Sequence, residues 1–485
     1  MATTVIAGGG VAGLALALAL GGRGHRVRVL ERGDPPPDGP VVKSARLWRR
    51  PLVPQAAHDH ILNGLGVRAL RRHAPAVLDA ALAEGARLLD LNSLAPPGPD
   101  GAAAPRDDEL TTLVVRRTVL DVLLYRAAAA LPRVTIHHNV VARGLSLAPS
   151  GRSGQRVAGV VTDGGGGLPA DVVVDASGRA SRSRGWLAAA GVAVPADLSS
   201  PSRLRAFGRF YRLRDPDGPP PGPLNRGNAA GGIWDHYSAV LHPADNDVFA
   251  ITFGALPEDR AADGLRTADG FTAACRLSPL LGAWVTAEAA QPLGPVRVIG
   301  MPPNLLRGTA TDPRPRVTGL LQVGDAACVT DPMFGRGLST ALEHAFELAE
   351  LWADGAPSAA AAAELAEGLL GPWYALGAHD SWARIARWRA ACGLPPLPAA
   401  DRPRAPVPAD RVAAALAAAA TDPVVWRGVS RVQNTLATPA EVYGDPEFLA
   451  RLPAAPAGGA AAGPPGLRPP THAELRDAIA AQEEG

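Results

Sequence analysis

The chain has 485 residues, more than one ordinary core accommodates, so two or three domains are expected. Forty-eight Lys and Arg against 46 Asp and Glu leave a formal charge of +2, which excludes broad electrostatic recognition of nucleic acid or of an anionic membrane. Three scattered cysteines, Cys275, Cys328 and Cys392, form neither a disulfide framework nor a metal-ligand cluster by their spacing and point to a reducing, cytoplasmic setting.

Val5-Ile6-Ala7 predicts a short buried strand that runs into Gly8-Gly9-Gly10-Val11-Ala12-Gly13, and Val27-Arg28-Val29-Leu30-Glu31 predicts the next strand. This is G-x-G-x-x-G between strand and helix, with an acid closing the second strand. Gly8 permits the tight turn, Gly10 lets backbone approach a pyrophosphate, and Gly13 allows helix to pack closely on strand. The helix N-terminus at Val11 and Ala12 supplies positive potential. Glu31, followed by Arg32, lies near the ~20-residue spacing at which an acid accepts from ribose hydroxyls. Together these residues predict dinucleotide binding.

The Leu14-to-Leu20 run alternates like a strand, but the glycine turn and the helix propensity of Ala and Leu override that pattern. No basic stretch precedes it, so a signal peptide is not expected. No segment reaches the ~18 uninterrupted apolar residues of a membrane span. Residues 33–60, rich in Pro and Arg, read as an excursion over the surface or a ligand. Helical patterns follow near 61–86 and 117–131, then a hairpin-like stretch over 134–163. Asp171-Val172-Val173-Val174-Asp175 is a buried strand, and Ala176-Ser177-Gly178-Arg179 is a small-residue turn that permits close passage of a ligand.

Residues 200–300 carry β-like segments at 204–213, 231–241 and 247–255 and a helix near 270–287, which reads as a separate sheet layer with a substrate pocket. Leu320-Leu321-Gln322-Val323 returns as a strand ending in Gly324-Asp325. Asp325 can offer a carboxylate to a ribityl or ribose hydroxyl. The Gly335-Arg336-Gly337 turn opens a further helix at Leu338, whose free amides can face a pyrophosphate or an anionic ring edge. The same residues would also make an ordinary strand, N-cap and turn. From about 365 the chain is helical, residues 452–470 are an Ala/Gly/Pro linker, and Thr471 to Glu484 predict a terminal helix.

These blocks, in this order and spacing, resemble the flavoprotein monooxygenases of the para-hydroxybenzoate hydroxylase type over roughly residues 3–355. Arg50-Pro51-Leu52-Val53-Pro54-Gln55-Ala56-Ala57-His58-Asp59-His60 is similar to the R-x-G-V-P-Q and H-x-H segment of actinobacterial hydroxylases and epoxidases, with Leu52 in place of glycine. Val115-Arg116-Arg117-Thr118-Val119-Leu120 is similar to the helix start that contacts FAD in that family.

The resemblance implies an α/β fold: a Rossmann-type FAD-binding domain interrupted by a β-sheet substrate domain, with a helical C-terminal extension. The FAD domain is expected over 1–190 and 295–360, with 61–110 partly at the substrate side. The substrate sheet follows over 191–294, a helical region over 361–455, and a linker with terminal helix over 456–485. The resemblance also implies FAD, NADH or NADPH as co-substrate, and hydroxylation or epoxidation of a natural-product intermediate of specialised metabolism through a flavin C4a-hydroperoxide. Arg50, Arg117, Asp325, Gly335, Arg336, Gly337 and Leu338 are the expected contacts of the pyrophosphate, ribityl and isoalloxazine portions.

Candidate acid–base groups are His58, His60, His236 and Tyr237, each equally able to be structural. Arg205, Arg209 and Arg212 are candidates for an acidic or carrier-tethered small-molecule substrate. The expected protein is a monomer or homodimer without nucleic-acid partner or membrane span. Two alternatives share the framework. A prenyl or alkene reductase matches Pro332-Met333-Phe334-Gly335-Arg336-Gly337, whereas a halogenase would carry a W-x-W-x-I-P motif that is missing here.

Overall fold

Five parallel strands hold the N-terminal motif, in the order Leu320–Gln322, Val172–Asp175, β1 (Thr3–Ala7), β2 (Arg26–Glu31) and Val134–His138. The computed structural model describes residues 3–97, 104–150, 154–225, 229–352, 355–453 and 468–482. Register is continuous from Thr3 opposite Arg26 and Thr4 opposite Val172. Side chains alternate between two apolar layers, as the strand period demands. Ile6, Val27, Val29 and Val174 face the helices, whereas Val5, Leu30 and Val173 face the hairpin Ala142–Ser150/Gly154–Thr162.

The helix α1 (Val11–Gly22) follows β1 directly, and Leu14, Leu16 and Leu20 are all fully buried. Helices Arg117–Ala129 and Gly337–Glu350 flank it, so an alternating sequence becomes a helix that is apolar nearly all round.

An antiparallel sheet forms the second layer, in the order Ala230–Ile233, Ser238–Pro243, Val248–Ala255, Arg205–Leu213, with Ala290–Pro292 and Arg297–Gly300 both pairing the last of these. Its outer face buries Phe207, Tyr211, Phe249 and Phe253 against Phe271 and Trp284. The opposite residues, among them Ala206, Thr252 and Gly254, face a cavity.

Three expectations differ in detail. The segment 231–241 is two strands, because Trp234 N–H donates to the Tyr237 carbonyl at 2.9 Å and closes a tight turn that preserves the apolar alternation. The stretch 134–163 is one strand of the parallel sheet followed by a separate hairpin, the two parted at Asn139 with φ +57°. The helix near 270–287 spans Ala268–Leu277 only, because Pro279 disfavours a helical Ser278.

The C-terminal part begins with a 33-residue helix, Ala359–Ala391. A cluster of shorter helices follows, packed on Val425, Val429, Val442 and Phe448. Of the expected linker over 452–470, residues 454–467 lie outside the described residues. The helix His472–Ala480 seats Leu475 and Ile479 in the aromatic core of the antiparallel sheet. Among the described residues, no helix is long and apolar enough to cross a membrane.

Candidate functional site

A cavity of about 1410 Å³ lies where the C-terminal ends of the parallel strands meet the inner face of the antiparallel sheet. That edge is where open α/β sheets take ligands. Gly8, Gly10, Val11, Ala12 and Glu31 line one end, and Asp325 with Gly335, Gly337 and Leu338 line the middle.

Each glycine of the first motif has a distinct geometry. Gly8 sits at φ +121°, and a side chain there would collide with the Ala176 carbonyl. A side chain at Gly13 would collide with the Gly8 carbonyl. Gly10 instead faces open space, with nothing within 4 Å of where a Cβ would stand, so its backbone is the floor of the cavity. No side chain caps the helix that starts at Val11 or the one that starts at Gly337, and both N-termini open on the same cavity. Two uncapped N-termini are two donor sets for anionic oxygens.

Glu31 is already engaged: its Oε2 accepts from Gly9 N–H at 2.9 Å and its Oε1 from Gly33 N–H at 2.8 Å. It braces the glycine loop while its remaining lone pairs face the cavity. Arg32 is exposed at the cavity rim.

Arg50 donates to Asp121 Oδ2 at 2.9 Å and to the Gly9 carbonyl at 3.0 Å, and its guanidinium lies 4.4 Å from the Trp48 ring centre. Arg117 donates to the other oxygen of Asp121 at 3.2 Å. Burial alone would raise the Asp121 carboxyl, but the two guanidinium groups hold it below its ordinary value. Both arginines line the cavity from this anchor. Sequence reasoning missed Asp121, although its i+4 spacing from Arg117 is a usable signal.

Asp325 follows the strand Leu320–Gln322 and its carboxylate takes no hydrogen bond among the described residues. Burial pushes its pKa up, with Arg117 and Arg179 opposing. An unpaired carboxylate on a cavity wall is costly unless a ligand hydroxyl supplies the missing donor. Arg336 is similar in kind: burial lowers it to about 10, and its Nε and Nη1 have no hydrogen-bond partner. The donor set as a whole, with backbone amides, two arginines and one free carboxylate, fits a long anionic dinucleotide that carries a polyol, as FAD does.

On the same cavity, Asp59 joins residues that no sequence spacing linked to it. His242 Nδ1 donates to Asp59 Oδ2 at 2.8 Å and Thr252 Oγ1 donates to Oδ1 at 2.6 Å. Burial would raise the Asp59 carboxyl, yet these hydrogen bonds bring it down to about 2. His242 turns Nδ1 to this carboxylate and leaves Nε2 without a hydrogen bond among the described residues, and all three residues line the cavity.

His58 and His60 line it as well. The His60 Nδ1 donates to the His58 carbonyl at 3.0 Å, and burial, helped by Arg117, lowers its pKa to about 4. His58 is lowered by burial, and its Nδ1 is buried without a partner. His236 and Tyr237 do not reach the cavity wall. The turn they form packs into the aromatic core, with Tyr237 6.2 Å from Phe253 and His236 5.2 Å from His472 between ring centres. Arg205, Arg209 and Arg212 do not line the cavity either; Arg205 pairs with Asp263 at 2.6 Å.

No protein-family model matches the chain. Protein Rv3254 of Mycobacterium tuberculosis (strain ATCC 25618 / H37Rv) is 29% identical over 357 residues, covering 69% of each chain. Among solved structures, PqsL, a probable FAD-dependent monooxygenase from Pseudomonas aeruginosa, is similar with a TM-score of 0.56 at 18% identity, covering 81% of this chain and 98% of that one. The p-nitrophenol 4-monooxygenase PnpA from Pseudomonas putida DLL-E4 is similar with a TM-score of 0.57 at 19% identity, covering 90% of this chain and 100% of that one. The chain therefore has the fold of the FAD-dependent monooxygenases.

Proposed function

We propose that the protein is an FAD-dependent monooxygenase that uses NADH or NADPH and dioxygen to hydroxylate an aromatic natural-product intermediate bearing an ionisable ring hydroxyl. One observation carries the reading. A dinucleotide cradle and an Asp59–His242 pair line the same cavity, which supports a site that takes cofactor and substrate together. Bound flavin, once reduced, supplies the activation of dioxygen.

The residues of the chain do the rest. Gly10 and the two helix N-termini receive the pyrophosphate and the ring edge, while Asp325 receives a ribityl hydroxyl. Asp59 holds the His242 Nδ1 proton, so Nε2 takes the proton of the substrate hydroxyl and makes the ring more nucleophilic. Leu204, Ile233, Met301, Met333, Val412 and Trp426 also line the cavity and offer the substrate an apolar wall. This apolar wall excludes water from the reacting atoms and suits a neutral, multi-ring substrate.

The purified protein is expected to be yellow, and to consume oxygen when NADH or NADPH is added in air, faster with substrate. Incorporation of one atom from labelled dioxygen into product is the deciding measurement. Anaerobic turnover without incorporation would instead identify an alkene reductase, and halide dependence a halogenase.

A further inference from the structure

Outside the cavity, three residues from distant parts of the chain bring nitrogen, sulfur and oxygen ligand atoms together. Asp259 caps the short helix Arg260–Arg266, accepting from Ala261 N–H at 3.1 Å. Cys392 ends the 33-residue helix. His472 opens the terminal helix, and its Nε2 lies 3.1 Å from each Asp259 oxygen. Every ligand atom of the three is within 4.8 Å of the others, and among the described residues no other group has this character. Beside them His236 is 5% exposed, with an Nε2 that has no hydrogen-bond partner. None of the four lines the cavity.

We propose that Asp259, Cys392 and His472 bind a divalent transition-metal ion, with zinc the best match, which pins the terminal helix to the antiparallel sheet. Thiolate, imidazole and carboxylate are each ligand types that zinc takes. Bond lengths of about 2.0–2.3 Å in a tetrahedron place such atoms roughly 3.3–3.6 Å apart; His472 and Asp259 stand 3.1 Å apart, and the Cys392 sulfur, within 4.8 Å of both, needs only a small adjustment to close the set. The fourth position falls to water; His236 stands beside the site, its ring centre 5.2 Å from that of His472. On binding, the Cys392 thiol proton leaves to solvent and the sulfur becomes the ligand.

The site is independent of the reaction proposed for the cavity. The competing arrangement is a metal-free network in which the Cys392 thiol and His472 both donate to Asp259.

The test uses the full, untagged chain after chelation, titrated with cobalt(II) alone. Near-stoichiometric uptake is expected, with the strong d–d bands of tetrahedral cobalt at wavelengths beyond flavin absorption and a thiolate charge-transfer band in the difference spectrum. Cys392→Ser should remove the charge-transfer band, and His472→Ala should weaken uptake by about tenfold or more. Zinc should raise the Tm of the wild type and leave that of His472→Ala unmoved. Far-ultraviolet circular dichroism verifies that both variants fold. Wild-type protein that gains only weak octahedral bands, or variants that bind cobalt as the wild type does, would overturn the proposal.

Discussion

The buried carboxylate of Asp121 accepts a hydrogen bond from Arg50, 71 residues earlier in the chain, at 2.9 Å, and its other oxygen accepts from Arg117. One carboxylate thus fixes both arginines at the cavity wall. Asp121→Ala would take from two nearly buried cations the carboxylate they share, leaving Arg50 only its longer ion pair with Glu31 at 3.6 Å. Removing one partner of a buried pair costs about 3–5 kcal/mol. The expected outcome is a large drop in Tm together with loss of bound flavin, measured by differential scanning calorimetry and flavin release.

The glycines separate folding from binding. Gly10→Val places its side chain in open cavity, so the fold should persist while flavin is excluded. Gly13→Ala drives its Cβ into the Gly8 carbonyl and should damage the fold itself. A folded, colourless Gly10→Val protein beside a poorly expressed Gly13→Ala protein is the expected pair of results.

Asp325→Ala should weaken flavin affinity by about tenfold or more, since hydrogen bonds to charged groups contribute about 1.5–3 kcal/mol. Fluorescence titration of apoprotein with FAD measures it. Unchanged affinity would remove Asp325 from the ribityl contact.

Loss of the base should be visible in the pH profile. His242→Gln is expected to lower kcat by about 10²–10⁴ near neutral pH. The rate should recover as alkaline buffer ionises the substrate hydroxyl unaided. Asp59→Asn should give a smaller loss with the same alkaline recovery. A uniform loss at every pH would mean that His242 only positions substrate.

Two histidines that desolvation keeps neutral predict acid lability. Burial lowers His60 and His344 to about 4 in the folded chain, from an ordinary value of 6.5. Between those values the unfolded chain binds more protons, so stability rises with pH across the window and is lost as pH falls from 6.5 towards 4. Chemical denaturation at pH 7, 6 and 5 should show the decline. His344→Leu should flatten part of it without disturbing the site, because His344 does not line the cavity.

The local elements of the cradle were legible because each glycine acts on its nearest neighbours in the chain, and a strand–turn–helix unit needs only local information. The same holds for Asp325, which one strand places. The Asp59–His242–Thr252 group was not legible, because His242 and Thr252 stand 183 and 193 residues from Asp59 and meet it only when the loop at Asp59 packs on the antiparallel sheet. His236 and Tyr237 drew attention as titratable groups in a β segment. The tight turn that carries them points into the aromatic core, and alternation cannot reveal which face of a hairpin is inner. Cys392 reads as isolated along the chain, since its neighbours Asp259 and His472 come from either side of it.

The outermost strand of the parallel sheet, Leu320–Gln322, arrives nearly 150 residues after the strand Val172–Asp175 whose edge it covers. During synthesis on the ribosome the nascent chain therefore carries an apolar, unpaired edge until two-thirds of the polypeptide has emerged. Such an edge invites pairing with other chains. Yield in a heterologous host should accordingly respond to slower translation or extra chaperone more than to any change in the finished protein.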